Sequence, residues 1–257
     1  MKDTHFKPED KISTKEFVKL LMSCKGDMEP EQDEAVYMEY ALKRGIIEDY
    51  DLLNKNKPIE RRRAARIIHE YLLTELAEKD EADWSAAEDL IDLYSCRSCV
   101  MHIAQVYVKG IMPANKDRLF EPEGKMTWAQ AIQAVEKMLD KEKRAMPKAG
   151  KNKSISMLSP EEAWRMLADN KRAMLIDVRS YEEYNQGHIA GSRCIPLDDI
   201  IINPHIINTN GRRDTPVILY CYRGYKSSIA AKALIDAGYK AVYTIPGIEQ
   251  YEYKLNS

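Results

Sequence analysis

The sequence predicts a two-domain protein, in which an all-α N-terminal domain precedes an α/β domain with a parallel sheet. Apolar residues recur at intervals of three and four through the first half of the chain, which is the period of amphipathic helices. In the last third, short β-like runs at 173–178, 217–220 and 241–245 alternate with helical segments. A lysine-rich stretch that contains Pro147 and Gly150 separates the two patterns, as an exposed connector would.

These patterns set the predicted domain boundaries. The helical domain covers residues 1–143, the connector residues 144–156, and the α/β domain residues 157–257. A chain of 257 residues is long enough for two domains that each bury a core. The lysines of the connector could also bind a polyanion, but a solvated linker is the interpretation that we favour.

The composition argues against several classes of partner. Hydrophobic residues make up 44% of the chain and charged residues 31%, and the formal net charge of −2 comes from interspersed opposite charges. This distribution lacks the basic face that nucleic-acid binding needs. No apolar run approaches the roughly 20 residues of a membrane-spanning helix, and the first residues lack the apolar core of a secretory signal. We therefore expect a cytoplasmic protein, or a cell-surface protein if this chain lacks its native N-terminus.

The helical half contains an internal repeat. Its unit is a helix, a Gly-Ile turn, a loop and a second helix, and the unit occurs at residues 40–68 and again at 106–132. The second helix alone opens the chain at residues 11–21. We therefore expect two complete copies and one partial copy of the same structural module.

This repeat, over about residues 10–140, resembles the S-layer homology repeat, a helical module that commonly occurs in threes and binds cell-wall polysaccharide. That family contacts the polysaccharide through a Thr-Arg-Ala-Glu type of motif at the start of the second helix. Arg61 matches the arginine of the motif, whereas Thr14 and Trp128 occupy the corresponding positions of the other copies. The resemblance implies a cell-wall polysaccharide as a partner, and a helical interaction or spacer domain is the alternative.

One segment of the α/β half has the composition of a nucleophilic site. Within Leu219–Ser228 a β-run ends at Cys221 and a helical pattern follows, which places Cys221 in a strand-to-helix loop. Amides of such a loop and the positive end of the helix dipole favour a thiolate. Arg223 and Lys226 add positive charge, and Gly224 lets the backbone turn without a side chain in the pocket.

This loop and its flanking motifs resemble the rhodanese family. Asp-Val-Arg at 177–179, Glu-Tyr at 183–184, Gly-His-Ile-Ala-Gly-Ser at 187–192 and Pro-Gly at 246–247 follow the order of the family's motifs. The family includes sulfurtransferases with a short cysteine loop and phosphatases with a longer one, which need an arginine six positions after the cysteine. Ser227 stands at that position, and a serine cannot bind phosphate in the bidentate way of an arginine.

The resemblance therefore implies a sulfurtransferase with Cys221 as its catalytic residue. The Cys221 thiolate takes the outer sulfur of a small anionic donor, such as thiosulfate, a polysulfide or a persulfide, and the Cys221 persulfide passes it to cyanide, a thiol or a partner protein. This chemistry needs no cofactor and no metal ion. The alternative is a non-catalytic sulfane-sulfur carrier, or a wall-associated adaptor in which the helical repeats provide binding.

The remaining residues of the loop are the expected substrate contacts, and a nearby ion pair is expected to support them. The substrate contacts are Tyr222, Arg223, Gly224, Tyr225, Lys226 and Ser227, and the supporting residues are Asp177 and Arg179. The two tyrosines either flank the mouth of the site and select acceptors or are ordinary exposed loop residues. His188 is interpreted as a packed turn residue rather than as a general base.

Three other cysteines have competing interpretations. Cys96 and Cys99, with His102 nearby, have the spacing of a metal or redox pair, but only one such pair is present and Cys99 shares a helical period with apolar neighbours. We therefore favour core packing for this pair. Cys194 could resolve a persulfide on Cys221 by forming a disulfide, although a buried sheet residue is the interpretation that we favour.

Overall fold

The computed structural model describes residues 7–24, 33–148, 155–207 and 212–256. The chain forms two compact units, Met1–Lys151 and Asn152–Ser257. This division lies inside the predicted connector, of which residues 149–154 are outside the described residues.

The start of the predicted connector is packed against the helical unit. Arg144 binds both carboxylate oxygens of Glu78, with N–O distances of 2.6 and 3.0 Å. The backbone of Ala145 lies so close to Gly110 that a Cβ on that glycine would stand 2.7 Å from it. Ile155, near the other end of the connector, is buried. Both ends of the predicted connector therefore belong to folded structure. Arg144 is held by an ion pair and Ile155 by burial, although the stretch between them is rich in lysine.

The first unit is helical, as predicted. Its α-helices are α1 (Thr14–Ser23), α2 (Glu34–Lys43), α3 (Asp49–Leu53), α4 (Arg61–Thr74), α5 (Val100–Val108) and α6 (Trp128–Leu139). Short 3-10 turns occupy residues 85–89, 93–95, 97–99 and 141–143. Ser13 and Thr127 begin α1 and α6 with capping boxes, in which a hydroxyl accepts a bond from the N3 amide and the N3 side chain returns one.

Three equivalent segments of the repeat meet in a closed ring of backbone hydrogen bonds. Ile12 donates to the carbonyl of Met126 over 3.2 Å, Met126 donates to Ile59 over 3.0 Å, and Ile59 donates to Ile12 over 3.0 Å. Each of the three stands two positions before the second helix of its copy, and each is buried. The internal repeat is therefore also a structural repeat, with the partial copy completing the ring. Its membership of the S-layer homology family stays a prediction.

The expected core packing of the Cys-x-x-Cys pair is wrong. Cys96 and Cys99 form a disulfide, and both are only half-buried. Helix α5 begins at Val100 and its residues Ile103 and Val106 are fully buried, whereas Cys99 belongs to the preceding 3-10 turn. The spacing of Cys99, Ile103 and Val106 suggested one helical face. Because α5 begins only after Cys99, this cysteine does not share the buried face of the helix. Within the described residues, no cluster of three or more histidine, cysteine or acidic side chains could hold a metal ion.

The second unit is an α/β structure, which confirms the predicted parallel sheet. Its strands are β1 (Ser156–Met157), β2 (Met174–Asp177), β3 (His188–Ile189), β4 (Arg193–Cys194), β5 (Val217–Tyr220), β6 (Val242–Thr244) and β7 (Leu255–Asn256). Its helices are α7 (Pro160–Asp169), α8 (Tyr181–Gln186), α9 (Leu197–Ile202) and α10 (Tyr225–Asp236). Five strands pair in parallel in the order β1-β6-β5-β2-β4, and β3 pairs with β7 in a separate antiparallel ribbon.

Strand β5 occupies the centre of the sheet and sets the position of the candidate site. All four of its residues are buried, as expected for a strand that is covered on both faces. Its neighbours are β6 and β2, and Tyr220 at its end is in register with Asp177 at the end of β2. In parallel α/β sheets, ligands bind beyond the carboxyl ends of the strands, which is where Cys221 follows. Among the described residues, no helix combines the length and apolar character needed to cross a bilayer.

Candidate functional site

The candidate nucleophile lies in a tight loop between β5 and α10. Cys221 follows the last residue of β5 and is 2% exposed. The N–H of Gly224 donates to the Cys221 sulfur, with an N–Sγ distance of 3.1 Å. Gly224 has a φ of 89°, in the left-handed region that glycine adopts without steric cost. The turn that aims this amide at the sulfur therefore depends on glycine at position 224.

Helix α10 contributes its N-terminal dipole and the Ser227 hydroxyl to the surroundings of the sulfur. Its first turn contains no acidic residue, so no carboxylate of the helix itself opposes the positive end of the helix dipole. The Ser227 hydroxyl lies 3.8 Å from the Cys221 sulfur and donates to the carbonyl of Gly224 over 2.9 Å. Ser227, the residue at the position where a phosphatase needs arginine, is fully buried. Its hydroxyl therefore stabilises the loop through the hydrogen bond to Gly224.

The two cations of the loop are paired with carboxylates from other segments. Arg223 binds Glu249 in a bidentate manner, with distances of 2.7 Å from Nε to Oε2 and 3.2 Å from Nη2 to Oε1. The Lys226 ammonium lies 3.6 Å from a carboxylate oxygen of Glu183. All four side chains are partly exposed. The local positive charge expected from the sequence is therefore largely offset, and neither acidic partner was identified from sequence, since each is far away along the chain.

The two tyrosines of the loop have different environments. Tyr222 is 46% exposed, whereas Tyr225, the first residue of α10, is 8% exposed. Solvent therefore reaches Tyr222 but hardly reaches Tyr225. Of the pair expected to flank the mouth, Tyr222 has the exposure that contact with an acceptor in solution requires.

Gly247, near the C-terminus, packs closely against the Cys221 loop. A Cβ on Gly247 would stand 2.2 Å from the carbonyl oxygen of Tyr222, so only glycine allows this approach. The next two residues donate backbone hydrogen bonds to the loop, Ile248 to Cys221 over 3.1 Å and Glu249 to Tyr222 over 3.0 Å. In the sequence, the only sign of this contact was a Pro-Gly pair in the last motif.

The supporting ion pair lies at the end of the neighbouring strand. Asp177 is fully buried and Arg179 is 6% exposed. The guanidinium of Arg179 donates to both oxygens of Asp177 over 2.6 to 3.0 Å, and to the carbonyl of Gly187 over 2.7 Å. The two side chains thereby tie the end of β2 to the start of β3. Their geometry places them in the framework around the loop.

A buried tyrosine that sequence reasoning missed links the same strands. The hydroxyl of Tyr220 accepts a hydrogen bond from the N–H of Ile189 over 3.0 Å and lies 2.9 Å from the hydroxyl of Ser192. Burial raises the pKa of Tyr220 above its usual range. His188 stacks on Tyr184, with ring centroids 3.8 Å apart, so its predicted packing is confirmed, but it lies in strand β3 rather than in a turn.

The strand register separates Cys194 from the candidate nucleophile. Cys194 in β4 and Tyr220 in β5 are both partners of Asp177, on opposite sides of β2. Two strand spacings amount to about 10 Å, whereas a disulfide needs Cα atoms within about 7 Å. Burial, with a smaller contribution from Asp177, raises the pKa of the Cys194 thiol to about 11. This cysteine is therefore not placed to resolve a persulfide on Cys221.

Comparison with known proteins agrees with this architecture. The rhodanese-like domain family matches residues 159–252. A thiosulfate sulfurtransferase, GlpE of Stutzerimonas stutzeri, is 33% identical over 93 residues, which cover 35% of this chain and 77% of that protein. This chain belongs to the rhodanese-like family. The second unit, including the Cys221 loop, is hereafter called the rhodanese-like unit.

Other proteins that are similar to the rhodanese-like unit differ in how much of their length is matched. An uncharacterized protein of Bacillus subtilis, YqhL, is 39% identical over 87 residues, and the chain spans 64% of its length. A structure of rhodanese with anions from E. coli is 28% identical, with a TM-score of 0.30, and the match covers 33% of this chain and 98% of that one. The human single-domain sulfurtransferase TSTD1 is 23% identical, with a TM-score of 0.32, over 37% of this chain and 91% of that one.

Proposed function

We propose that the rhodanese-like unit is a sulfurtransferase that carries sulfane sulfur on Cys221. In the first step, the Cys221 thiolate attacks the outer sulfur of thiosulfate, a new S–S bond forms, and sulfite leaves with the electrons of the broken bond. In the second step, cyanide or a thiolate attacks the outer sulfur of the Cys221 persulfide and the Cys221 thiolate leaves. A polysulfide or another persulfide can replace thiosulfate as the donor.

One observation carries this proposal: the N–H of Gly224 lies 3.1 Å from the Cys221 sulfur at the start of α10. Negative charge is on this sulfur before the first step and returns to it in the second. A fixed amide and a helix N-terminus stabilise that charge without having to reorganise during the reaction. Because Cys221 is 2% exposed, donors must be small or must present their sulfur on a narrow extension.

The pairing of the loop cations bears on donor selection. Arg223 and Lys226 face Glu249 and Glu183, so an incoming anion meets cations that are already partly neutralised. Backbone amides then supply much of the attraction, and they suit any small anion with a terminal sulfur. We therefore propose a broad preference among small sulfane donors rather than strict selection for thiosulfate.

The test is to incubate the protein with thiosulfate or polysulfide and to measure its intact mass before and after cyanide. We expect the mass of one sulfur atom to be added, and cyanide to remove it as thiocyanate. Cys221→Ser abolishes the addition, while Cys194→Ser, which also removes a single thiol, does not. If the protein is a catalyst, each chain produces many thiocyanate molecules when donor and cyanide are in excess. A single turnover would instead favour the carrier, and an unmodified wild-type protein would rule out both.

We also propose that the helical unit belongs to the S-layer homology type and binds cell-wall polysaccharide. Two cavities support this second proposal, one of about 270 Å³ that includes Thr14, Tyr50 and Arg63, and one of about 200 Å³ that includes Arg61 and Gln130. Thr14 and Arg61 are the first residues of α1 and α4, so the two cavities occupy related positions between copies of the repeat. The larger one combines an aromatic ring with charged groups, a combination that suits a sugar.

Arg61, the residue that matches the family's polysaccharide motif, has a structural role in this chain. Its guanidinium donates to the carbonyls of Phe120 and Pro113 over 2.7 and 2.8 Å, and it lies 4.7 Å from the centroid of the Phe120 ring. It is 8% exposed. Its main interactions are therefore internal. We assign the proposed sugar contact to the larger cavity, which includes Thr14 and Tyr50.

Polysaccharide binding is tested by sedimentation of the full chain with purified cell wall. We expect Tyr50→Ala to lower the bound fraction, because Tyr50 is an exposed ring in the larger cavity. Tyr181→Ala removes a similarly exposed tyrosine from the rhodanese-like unit and serves as the control. If the wild-type chain stays in the supernatant, wall binding is excluded and a spacer or interaction domain is left.

A further inference from the structure

The helical unit carries a cysteine pair that the proposed sulfur transfer does not use. Cys96 and Cys99 are joined by a disulfide and their Cα atoms are 5.3 Å apart. The bond links residues only three positions apart, so it closes a very short loop and removes little freedom from the unfolded chain. A disulfide that stabilises a fold does so by joining distant segments. Stability is therefore a poor explanation for this pair.

The pair is accessible to a reactant. Cys96 and Cys99 are half-buried, while Arg97 and Ser98 between them are exposed. The exposed turn leaves room for a third sulfur to approach, which thiol–disulfide exchange requires. Val100, the residue after Cys99, is only 1% exposed, so the accessible surface of this turn ends at Cys99.

The position of the pair favours a thiolate in the reduced state. Cys99 is the N-cap residue of α5, whose nine residues include no acidic side chain in the first turn, and no side-chain hydrogen bond caps this end. The helix dipole and the first amides therefore favour negative charge at Cys99. Arg97, between the two cysteines in the sequence, adds a cation to the same turn. A Cys-x-x-Cys pair at a helix N-terminus is an arrangement that supports reversible oxidation.

We infer that Cys96 and Cys99 are a redox-active dithiol that accepts the sulfane sulfur of Cys221, an inference that rests on the proposed function. The thiolate of one cysteine attacks the outer sulfur of the Cys221 persulfide, and the Cys221 thiolate leaves. The second cysteine then attacks the inner sulfur of the new persulfide, which forms the Cys96–Cys99 disulfide and releases hydrosulfide. The dithiol loses two electrons and the sulfane sulfur gains them.

This acceptor makes the transfer directional. A single thiol would only hold the sulfur as another persulfide, whereas a dithiol reduces it to sulfide and becomes the disulfide that the structure contains. The free cysteines of the described residues are Cys24, Cys194 and Cys221. A small thiol or dithiol from solution reduces the disulfide for the next cycle.

The experiment uses the full chain, reduced with a dithiol and freed of reductant without oxygen. One equivalent of thiosulfate is added, and three quantities are followed: sulfide in solution, persulfide on Cys221 by alkylation and mass spectrometry, and the Cys96–Cys99 disulfide by non-reducing peptide mapping. We expect the wild type to release about one sulfide per chain while the disulfide forms. In the Cys96→Ser/Cys99→Ser variant, persulfide accumulates on Cys221 and the rate of sulfide release falls by at least about tenfold.

The matched control is Cys24→Ser/Cys194→Ser, which also loses two thiols and should release sulfide like the wild type. Persulfide that persists on Cys221 of the reduced wild type, or sulfide release at the wild-type rate without Cys96 and Cys99, would overturn the inference and leave the sulfurtransferase proposal standing. No persulfide in the Cys96→Ser/Cys99→Ser variant would overturn both, because that variant has no internal dithiol to consume it.

Discussion

The backbone of Gly247 lies directly against the carbonyl group of Tyr222, where a Cβ would stand 2.2 Å from the oxygen. This contact joins a loop near the C-terminus to the loop of the candidate nucleophile. Cys221 is one residue away, and its own carbonyl accepts a hydrogen bond from Ile248. The shape of the nucleophile loop therefore depends on a residue 26 positions further along the chain.

Gly247→Ala should disable the site more than it destabilises the protein. The new methyl group forces the Tyr222 carbonyl to move, and that shift carries Cys221 away from the Gly224 amide. Overpacking of this kind costs about 1–3 kcal/mol of unfolding free energy. We expect sulfur loading of Cys221, measured by intact mass after thiosulfate, to be lost while the chain stays folded. Gly191→Asn is the control, since no atom lies within 4 Å of a Cβ there and asparagine tolerates its φ of 80°.

Release of Arg223 from its partner should strengthen donor binding. Glu249→Gln removes the negative charge that Arg223 faces at 2.7 Å. We expect KM for thiosulfate to fall by about two- to fivefold at low salt, since exposed ion pairs are worth about 0.2–1 kcal/mol, and the gain to shrink as salt increases. Glu252→Gln makes the same charge change at an exposed position and controls for net charge. An unchanged or higher KM would mean that Arg223 does not act on the donor.

Asp177→Asn should destabilise the rhodanese-like unit strongly. The substitution keeps the shape of the side chain but leaves the Arg179 guanidinium, which is 6% exposed, without its counter-charge. Removal of one partner from a buried ion pair typically costs about 3–5 kcal/mol. Urea unfolding checks the effect. Asp214→Asn, at an exposed position, should change the free energy of unfolding by less than about 0.5 kcal/mol.

A histidine pair should make the helical unit sensitive to acid. His69 in α4 and His102 in α5 are joined through their Nδ1 atoms over 2.9 Å, and His69 Nε2 lies 2.7 Å from Asp80. Burial, together with the nearby His69, lowers the pKa of His102 to about 3. An unfolded histidine titrates near 6.5.

Between these two values the unfolded chain therefore binds the additional proton, and acid favours unfolding. The free energy of unfolding should fall by up to ~1.4 kcal/mol per pH unit as the pH drops below about 6. Urea unfolding at pH 7 and pH 5 measures this slope. His102→Gln should flatten it, whereas His205→Gln, at an exposed histidine, should leave it unchanged. Equal slopes in the wild type and His102→Gln would remove His102 as the cause.

Local patterns in the sequence determined the secondary structure and the identity of the candidate nucleophile. The helical period of the first half, the apolar run of β5 and the strand-to-helix position of Cys221 all depend on residues close together in the chain. Ser159 and Glu162, which form the capping box of α7, are likewise three residues apart.

Only the tertiary structure decided which distant groups meet. It joined Ile12, Ile59 and Met126 in one ring and brought Glu249 to Arg223. Such pairs are separated by tens of residues, and a local pattern contains no information about them. The core packing expected for Cys96 and Cys99 was wrong for a different reason: α5 begins only at Val100, so both cysteines lie before the helix whose period suggested their burial.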